Sequence, residues 1–311
     1  MTPAAGSQSG RFHRGGQGVR WRERSRLVRV VRLWRTRNPR TFREKVRYKM
    51  LRDHRALVVT FADKAAVRGH VGSIVGERYL PRVYAIVDDP AALRDLDLPD
   101  AYVVKPTHGS GAAVVVSGSA PVEARLPTEP GSWVYRHVRP EAAAREHIIR
   151  IAKGWVAQLY GQGPNREWVY GRITPRIIVE EMLAGADGAI PDDYKFFVFH
   201  GRCAFVQVDG GRFGSRTMDF FRPDWQHLPL RGGPPWAHPE PVAPDCLAEM
   251  IDLSERLGAG TDFVRVDVYD VDGRIVFGEL TSFPAGGDSP FDPESFDLEF
   301  GRPWTVPRRY R

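Results

Sequence analysis

Hydrophobic and polar residues alternate with a period of two near the C-terminus of the chain. Residues 261–287 read TDFVRVDVYDVDGRIVFGELTSFPAGG. In the first half of this stretch a row of valines alternates with Arg265 and Asp267, so the valines point to one face of a strand and the charged residues to the other. An Asp-Gly pair at positions 272–273 separates this run from a second one. The pattern predicts a β-hairpin.

The turn decides which residues pair across this hairpin. A three-residue loop that ends in a left-handed Gly273 pairs Arg265 with Glu279. It pairs Asp267 with Phe277 and makes Asp267 and Glu279 diagonal neighbours on one face. A two-residue Asp-Gly turn puts the two carboxylates on opposite faces. We predict the three-residue loop, because it separates a charged face from an entirely apolar one.

Two carboxylates on an otherwise apolar hairpin have two explanations. Diagonal Cβ atoms lie about 7–8 Å apart, which is close enough for Asp267 and Glu279 to converge on Mg²⁺. The alternative is a structural ion pair between Arg265 and Glu279, with Asp267 in water. Taken alone, the hairpin favours the ion pair, since such pairs are common.

Apolar periodicity predicts helices and strands along most of the remaining chain. A capping-box spacing between Thr41 and Glu44 opens the first helix, and Asp63 caps the second. The predicted helices span residues 41–54, 62–75, 141–161 and 244–257. The predicted strands span residues 57–61, 79–89, 101–106, 112–117 and 175–183, and a second hairpin covers residues 192–214. A chain of 311 residues can build one large domain or two lobes from these elements.

The positive net charge of the chain lies at its N-terminus. Apolar residues make up 42% of the sequence and charged residues 27%, which is ordinary for a soluble globular protein. The formal net charge is +7, but residues 1–40 hold eleven Arg and one Glu. The remaining residues are therefore slightly acidic, and we predict no nucleic-acid partner.

Cysteine usage and hydropathy predict a cytoplasmic location. Cys203 and Cys246 have no metal or redox spacing, and we interpret them as small buried hydrophobes in a reducing compartment. No apolar run approaches the roughly 20 residues of a membrane span. Residues 19–38 place arginines three apart among apolar residues. This stretch is a candidate for contact with an anionic membrane, and the alternatives are a helix packed on the body or an unstructured arm.

Cationic residues and a Gly-rich loop occur at the ends of predicted elements. Lys64 lies in the first turn of a helix, where it opposes the helix dipole unless it faces an anion. Lys105 ends a strand and precedes the loop at residues 107–111, whose backbone N–H groups can close over phosphates. A plain hairpin turn is the alternative for this loop. Together with Lys195, Arg265 and the two carboxylates, these residues form the set that phosphoryl transfer requires.

In this combination the chain resembles the ATP-grasp superfamily, and most closely its branch for teichuronopeptide and related cell-surface polysaccharide biosynthesis. The segments that carry the resemblance are ADKAAVR, VVKPTHGSGAAVVV, PRIIVEEML, DDYKFFVFHG and FVRVDVYDVDGRIVFGELTSFPAGG. The resemblance covers about residues 38–300. It implies an α+β ATP-grasp fold in which two lobes enclose the nucleotide. The implied divisions are a tail at 1–37, an N-terminal region at 38–100, and lobes at 101–185 and 186–305.

The resemblance also implies a role for each residue that matches a motif. Lys64, Lys105 and Lys195 would contact phosphates, and Glu180 would accept from the adenine amino group. The implied ATP-binding residues are Lys64, Lys105, Gly109, Ser110, Gly111, Glu180, Glu181, Leu183, Asp187 and Lys195. The implied Mg²⁺ ligands are Asp267, Glu279 and Thr281, although many family members have Asn at the position of Thr281. The implied catalytic residues are Arg265, which would stabilise the transferring phosphoryl group, and Lys195.

The activity implied by the resemblance is the ATP-dependent joining of a carboxylate to an amine through an acylphosphate, with release of ADP. Arg212 and Arg216 are candidates for holding the carboxylate substrate, because Arg suits bidentate recognition. Solvent-facing loop arginines are the alternative. Two other functions remain open: an ATP-grasp kinase that phosphorylates a hydroxyl, and a peripheral membrane or scaffold protein that binds nucleotide without turnover.

Overall fold

The computed structural model describes residues 38–311, apart from residues 130–131, 159, 161–166 and 187. The predicted Arg-rich tail and Asp187 therefore lie outside the described residues. Residues 40–311 form one compact unit. Within the described part of the chain, this unit contains six α-helices and two five-stranded sheets. The predicted α+β fold is confirmed.

The first sheet has the strand order β1-β5-β2-β3-β4. Its strands are β1 Val83–Val87, β2 Tyr102–Pro106, β3 Ala113–Val116, β4 Tyr135–Val138 and β5 Ile177–Glu181. Strand β4 runs parallel to β3, and the other neighbours are antiparallel. A helix at Arg145–Val156 packs its apolar stripe, including the fully buried Trp155, on this sheet. Of the five strands predicted upstream of residue 190, three have close counterparts here, β1 is the core of the strand predicted at 79–89, and the strand predicted at 57–61 is not part of this sheet.

The second sheet is entirely antiparallel and has the order β10-β9-β6-β7-β8. Its strands are β6 Asp193–Phe199, β7 Arg202–Gly210, β8 Thr217–Phe221, β9 Phe263–Val271 and β10 Arg274–Thr281. The helices of the chain are α1 Phe42–Arg52, α2 Ala56–Ala62, α3 Ala66–Val75, α4 Arg145–Val156, α5 Leu247–Gly258 and α6 Ser295–Gly301. Helices α3 and α5 pack on one face of this sheet, whereas α1 and α6 pack on the other.

The second face of this sheet changes character along its length. At one end Phe199 pairs with Phe263, and both rings join the buried aromatic cluster around Phe42 of α1. Four residues along the same strands, Lys195 pairs with Asp267. Because side chains two apart share a face, the polar pair points the same way as the aromatic pair. The aromatic end anchors the sheet, and the polar end is available for chemistry.

At the N-terminal helices, both predicted capping residues accept hydrogen bonds from N–H groups at a helix start, and one predicted element is wrong. Thr41 caps α1, and its capping box with Glu44 is present. Asp63 Oδ1 accepts from the N–H groups of Ala65 and Ala66 at the start of α3. The predicted strand at residues 57–61 is wrong, since this segment belongs to α2. A short apolar run does not distinguish a strand from a helix, and burial here falls on Val58 and Phe61, which are three residues apart.

The register of the β9–β10 hairpin differs from the prediction. Val271 pairs with Arg274, so Asp272 and Gly273 form a two-residue turn with φ angles of 53° and 85°. The predicted three-residue loop is therefore wrong. Gly278 then forms a bulge, because Phe277 pairs with Val268 but Glu279 pairs with Asp267. The extra residue restores the shared face that a two-residue turn alone would have removed.

Cys203 and Cys246 are free and only half-buried, and both pack against the core between the second sheet and α5. Among the described residues, no helix combines the length and the apolar character that crossing a bilayer requires.

Candidate functional site

A cavity of about 360 Å³ lies between the two sheets. It is lined by most of the residues that the sequence analysis selected. These are Lys64, Lys105, Ser110, Gly111, Glu180, Glu181, Leu183, Lys195, Arg212, Arg216, Asp267 and Glu279. Gly109, Arg265 and Thr281 lie behind this lining, each in contact with a residue or loop that forms it. The fold therefore brings together residues that are more than 200 positions apart in sequence.

Arg265 holds the two carboxylates of the β9–β10 hairpin together. Its Nε donates to Asp267 Oδ1 at 2.7 Å, and its Nη2 donates to Asp267 Oδ2 at 2.6 Å. The same Nη2 donates to Glu279 Oε1 at 2.8 Å. Thr281 supports this arrangement, since its hydroxyl donates to Glu279 Oε1 at 2.8 Å. One oxygen of each carboxylate thus converges on Nη2 of Arg265.

The two carboxylates differ in pKa. Burial raises the pKa of Asp267 to about 6, although Arg265 and Lys195 oppose the shift. Burial also acts to raise the pKa of Glu279, but Arg265 and Lys64 outweigh it and lower the value to about 2. The side chain of Asp267 is 3% exposed, whereas that of Glu279 is 41% exposed towards the cavity. Glu279 is therefore a permanent negative charge at neutral pH.

These carboxylates fit a magnesium ion but do not form a complete metal cage. Among the described residues there is no group of three or more His, Cys, Asp or Glu side chains arranged around a metal position. Mg²⁺ is commonly held by one or two carboxylates, with water and substrate phosphates as its other ligands. Asp267 and Glu279 match that requirement, and the hydroxyl of Thr281 lies next to them.

Lysines supply the positive charge around the cavity. Lys195 is buried between Asp193, Asp209 and Asp267, with Nζ 3.3 Å from Asp267 Oδ2. Burial acts to lower the pKa of Lys195, but Asp193 and Asp267 raise it above its ordinary value. Lys105 forms an ion pair with Glu180 of the neighbouring strand β5. Both lysines are therefore paired with acids before any ligand arrives.

Lys64 reaches the cavity from the segment between α2 and α3. Its Nζ donates to the carbonyl of Gly109 in the Gly-rich loop. Burial lowers the pKa of Lys64 to about 8, and Glu279 opposes this shift. The loop itself joins β2 to β3, and Gly109 and Gly111 take positive φ angles of 98° and 78°. These conformations favour glycine, which explains why the loop needs glycine at both positions.

Residues 144–304 match the model of the TupA-like ATP-grasp family. The chain belongs to this family. The match includes the β9–β10 hairpin and β5 with Glu180. Lys64, Lys105 and the Gly-rich loop of this TupA-like ATP-grasp protein precede the matched region. The predicted superfamily is thus confirmed.

Several solved structures of ATP-grasp ligases are similar to this TupA-like ATP-grasp protein. The ligase PsnB in complex with a phosphomimetic minimal precursor, Mg and ADP is 14% identical, with a TM-score of 0.37 over 85% of this chain and 60% of that chain. An L-amino acid ligase from Bacillus licheniformis is 15% identical, with a TM-score of 0.43 over 74% of this chain and 45% of that chain. A D-alanine–D-alanine ligase from Bacillus anthracis is 13% identical, with a TM-score of 0.39 over 78% of this chain and 64% of that chain.

The chain covers 60% of the length of the PsnB chain and 45% of the length of the L-amino acid ligase. No curated protein matches the chain.

Arg212 has partners that the sequence did not reveal. It forms an ion pair with Asp193, and its guanidinium lies 5.7 Å from the ring centroid of Tyr135 and 5.8 Å from that of Tyr269. Tyr135 belongs to the first sheet and Tyr269 to the second, so Arg212 bridges the two sheets beside the cavity. Arg216 also lines the cavity. Of these two predicted substrate residues, Arg212 already has an acid partner.

Asp193 and Glu181 also differ from what the sequence suggested. Sequence reasoning gave Asp193 no role, yet it contacts both Lys195 and Arg212. The available signal was its position two residues before Lys195, which puts both on one face of β6. The side chain of Glu181 bonds the N–H of Arg82 and pairs with Arg274 at the hairpin tip. Its backbone N–H donates to the carbonyl of Arg82.

Proposed function

We propose that this TupA-like ATP-grasp protein is an ATP- and Mg²⁺-dependent ligase that joins a carboxylate to an amine. The observation that supports this proposal is the composition of the cavity between the sheets. Three lysines and a Gly-rich loop face two converging carboxylates across a space of about 360 Å³. A metal-bound triphosphate requires this combination, because cations neutralise phosphate oxygens and carboxylates hold the metal that bridges them.

Each part of the cavity has a proposed task. Lys64, Lys105 and the loop at residues 109–111 bind the phosphates of ATP, and Glu180 binds the adenine amino group. Asp267 and Glu279 hold Mg²⁺, with Thr281 beside them. Bound there, Mg²⁺ supplies positive charge that offsets the charge developing on the phosphate oxygens.

Arg265 and Lys195 act together with the metal ligands. Arg265 bonds both carboxylates directly, so we propose that it fixes their separation and adds positive charge behind them. Lys195 lines the cavity and is charged at neutral pH, which suits contact with the transferring phosphoryl group. Both side chains are held by ion pairs in advance, and preorganised charges of this kind lower the barrier of phosphoryl transfer.

The proposed reaction has two steps. A carboxylate oxygen of the substrate attacks the γ-phosphorus of ATP, an O–P bond forms, and ADP leaves with the electron pair of the broken P–O bond. An amine then attacks the acyl carbon of this acylphosphate, a C–N bond forms, and inorganic phosphate leaves while the amine loses a proton. Arg216, and Arg212 if a substrate displaces Asp193, would hold the carboxylate.

The substrates we propose are a carboxylate and an amine on a precursor of a cell-surface polymer or on a small peptide. Support for the polysaccharide role comes from the family resemblance. Location in the cytoplasm and contact of residues 1–37 with an anionic membrane stay predictions.

Trapping with hydroxylamine tests the proposed activity. The purified chain is incubated with ATP, Mg²⁺, hydroxylamine and a panel of amino acids, acidic sugars and short peptides. A ligase converts the correct acid to a hydroxamate, with one ADP released per hydroxamate. A phosphorylated hydroxyl without hydroxamate would instead identify a kinase. Nucleotide binding without ADP release on any acid or alcohol would identify a protein that binds but does not turn over.

A further inference from the structure

The Gly-rich loop rests against two aromatic rings on the side away from the cavity. A Cβ atom placed on Gly109 would lie 2.6 Å from Trp133 Cζ2 and 2.6 Å from Tyr160 Cγ. The two rings stack on each other with their centroids 4.7 Å apart. The loop backbone therefore packs directly on an aromatic platform formed by Trp133 and Tyr160.

Hydrogen bonds fix the loop to this platform. The indole Nε1 of Trp133 donates to the carbonyl of Ser110 at 2.6 Å. The hydroxyl groups of Ser110 and Tyr160 lie 2.9 Å apart. On the neighbouring peptide, Lys64 Nζ donates to the carbonyl of Gly109. Two successive carbonyl groups of the loop thus have specific donors, and one of these donors belongs to Trp133.

The bond from Trp133 determines where the next N–H group points. The carbonyl of Ser110 and the N–H of Gly111 belong to one trans peptide unit, in which these two groups point in opposite directions. Because the carbonyl points to Trp133, the N–H of Gly111 points away from the platform. Ser110 and Gly111 both line the cavity. In the described part of the chain, the N–H of Gly111 has no hydrogen-bond partner.

We propose that Trp133 is a positioning residue that turns the N–H of Gly111 towards the phosphate chain of the bound nucleotide. This inference rests on the proposed function, since it requires a nucleotide in the cavity. Trp133 itself lies behind the loop and acts through the peptide that it holds. A donor left unpaired on the cavity side of a loop is what an incoming phosphate oxygen requires.

A purely structural role for Trp133 would affect the whole protein, whereas a positioning role depends on the ligand. If the indole only fills space, its loss weakens all ligands of the cavity alike or none of them. If it orients the Gly111 peptide, its loss weakens only ligands that have phosphates at this position. The series adenosine, AMP, ADP and ATP separates these cases, since it varies the phosphate chain and keeps the nucleoside.

The experiment measures the dissociation constants of these four ligands by calorimetry in the presence of Mg²⁺. Trp133→Phe keeps an aromatic ring and removes the N–H donor. Trp236→Phe is the matched control, because the indole of Trp236 also donates to a backbone carbonyl, that of Leu230 at 3.0 Å, and does not line the cavity. We expect Trp133→Phe to bind ATP and ADP about tenfold more weakly than wild type does, because the hydrogen bond from the Gly111 N–H to a charged phosphate is lost. Trp133→Phe should bind adenosine as tightly as wild type does. Trp236→Phe should bind all four as wild type does.

Equal weakening for adenosine and ATP, or unchanged ATP binding, would overturn the inference. If the wild-type chain binds none of the four ligands, both the proposed function and this inference are overturned. This measurement on wild type comes before any variant is made. Should Trp133→Phe fail to fold, wild-type protein labelled with ¹⁵N-glycine decides. The Gly111 amide resonance should shift on addition of ADP with Mg²⁺ and stay in place with adenosine. No shift with ADP would reject the proposal.

Discussion

Two hairpins line the cavity from opposite sheets, and they hold their polar groups in different ways. In the β2–β3 hairpin, Lys105 has a single acid partner, and the loop beyond it exposes Ser110 and Gly111. In the β9–β10 hairpin, Arg265 bonds two acids at once, and Asp267 is buried. The first hairpin offers cations and backbone N–H groups that a ligand can reach. The second offers charges that are fixed beforehand.

This difference follows from where each hairpin places its functional residues. The β2–β3 hairpin uses its tip, where loop residues have few neighbours and glycine permits unusual φ angles. The β9–β10 hairpin uses the middle of its strands, where cross-strand neighbours and the adjacent strand β6 hold every side chain. A nucleotide that enters and leaves requires the first arrangement. Charge stabilisation during phosphoryl transfer requires the second.

The largest expected effect comes from removing charge from the preorganised hairpin. Glu279→Gln keeps the shape of the side chain but removes a proposed Mg²⁺ ligand, so we expect ADP release to fall by at least about 100-fold. Thermal unfolding should change little, since the side chain is 41% exposed. Glu146→Gln, at an exposed acid that pairs with Arg94, is the control and should keep full activity. Wild-type rates for Glu279→Gln would remove the metal site from the proposal.

A smaller effect is expected in the β2–β3 hairpin. Lys105→Ala removes one cation from the proposed phosphate site and leaves Glu180 without its ion-pair partner. We expect ATP to bind about 30-fold more weakly, within the range for a hydrogen bond to a charged group. Lys153→Ala, at an exposed lysine of α4, should bind ATP as wild type does. An unchanged dissociation constant for Lys105→Ala would show that this lysine is not a phosphate ligand.

The bulge in the β9–β10 hairpin should matter less than the acids it aligns. A Cβ atom on Gly278 would lie 2.9 Å from Tyr269 Cε2 and 3.0 Å from the carbonyl oxygen of Asp267. Gly278→Ala therefore displaces the bulge, and we expect about a tenfold loss of ADP release and a loss of about 1–3 kcal/mol in the free energy of unfolding. Gly118→Ala, where no atom lies within 4 Å, should change neither. Full activity in Gly278→Ala would mean that the alignment does not depend on the bulge.

The same hairpin shows what the sequence could and could not predict. Alternation located both strands, and the expected separation of a charged face from an apolar one led to the correct prediction that Asp267 and Glu279 share a face. The register was wrong, because a glycine in a strand does not reveal whether it forms a bulge. The turn is one residue shorter than predicted, and the bulge adds one residue to the strand. Because these two differences compensate each other, Asp267 and Glu279 still lie on the same face.

Long-range contacts limited the prediction of the site in the same way. Lys64 was selected as a cation in the first turn of a predicted helix, but α3 begins at Ala66, so Lys64 precedes the helix and that premise is wrong. The platform of Trp133 and Tyr160 gave no such signal, because its partners are loop residues more than 20 positions away. The short strand predicted at 57–61 was wrong for a related reason. Only the packing of Val58 and Phe61 shows that the segment is helical.

The smallest expected effect is a dependence on pH that belongs to the cationic side of the cavity. Burial lowers the pKa of Lys64 to about 8, so this lysine is an ammonium at pH 7 and largely neutral at pH 9. The terminal phosphate loses its last proton near pH 6, so the charge of ATP is constant above pH 7.5. We expect ATP to bind about fivefold more weakly at pH 9 than at pH 7.5, as fits loss of one ionic contact of about 1 kcal/mol. Lys64→Arg keeps its charge over this range and should flatten the profile, whereas Lys153→Arg should reproduce the wild-type profile. A profile that is the same in wild type and in Lys64→Arg would assign the pH dependence to another group.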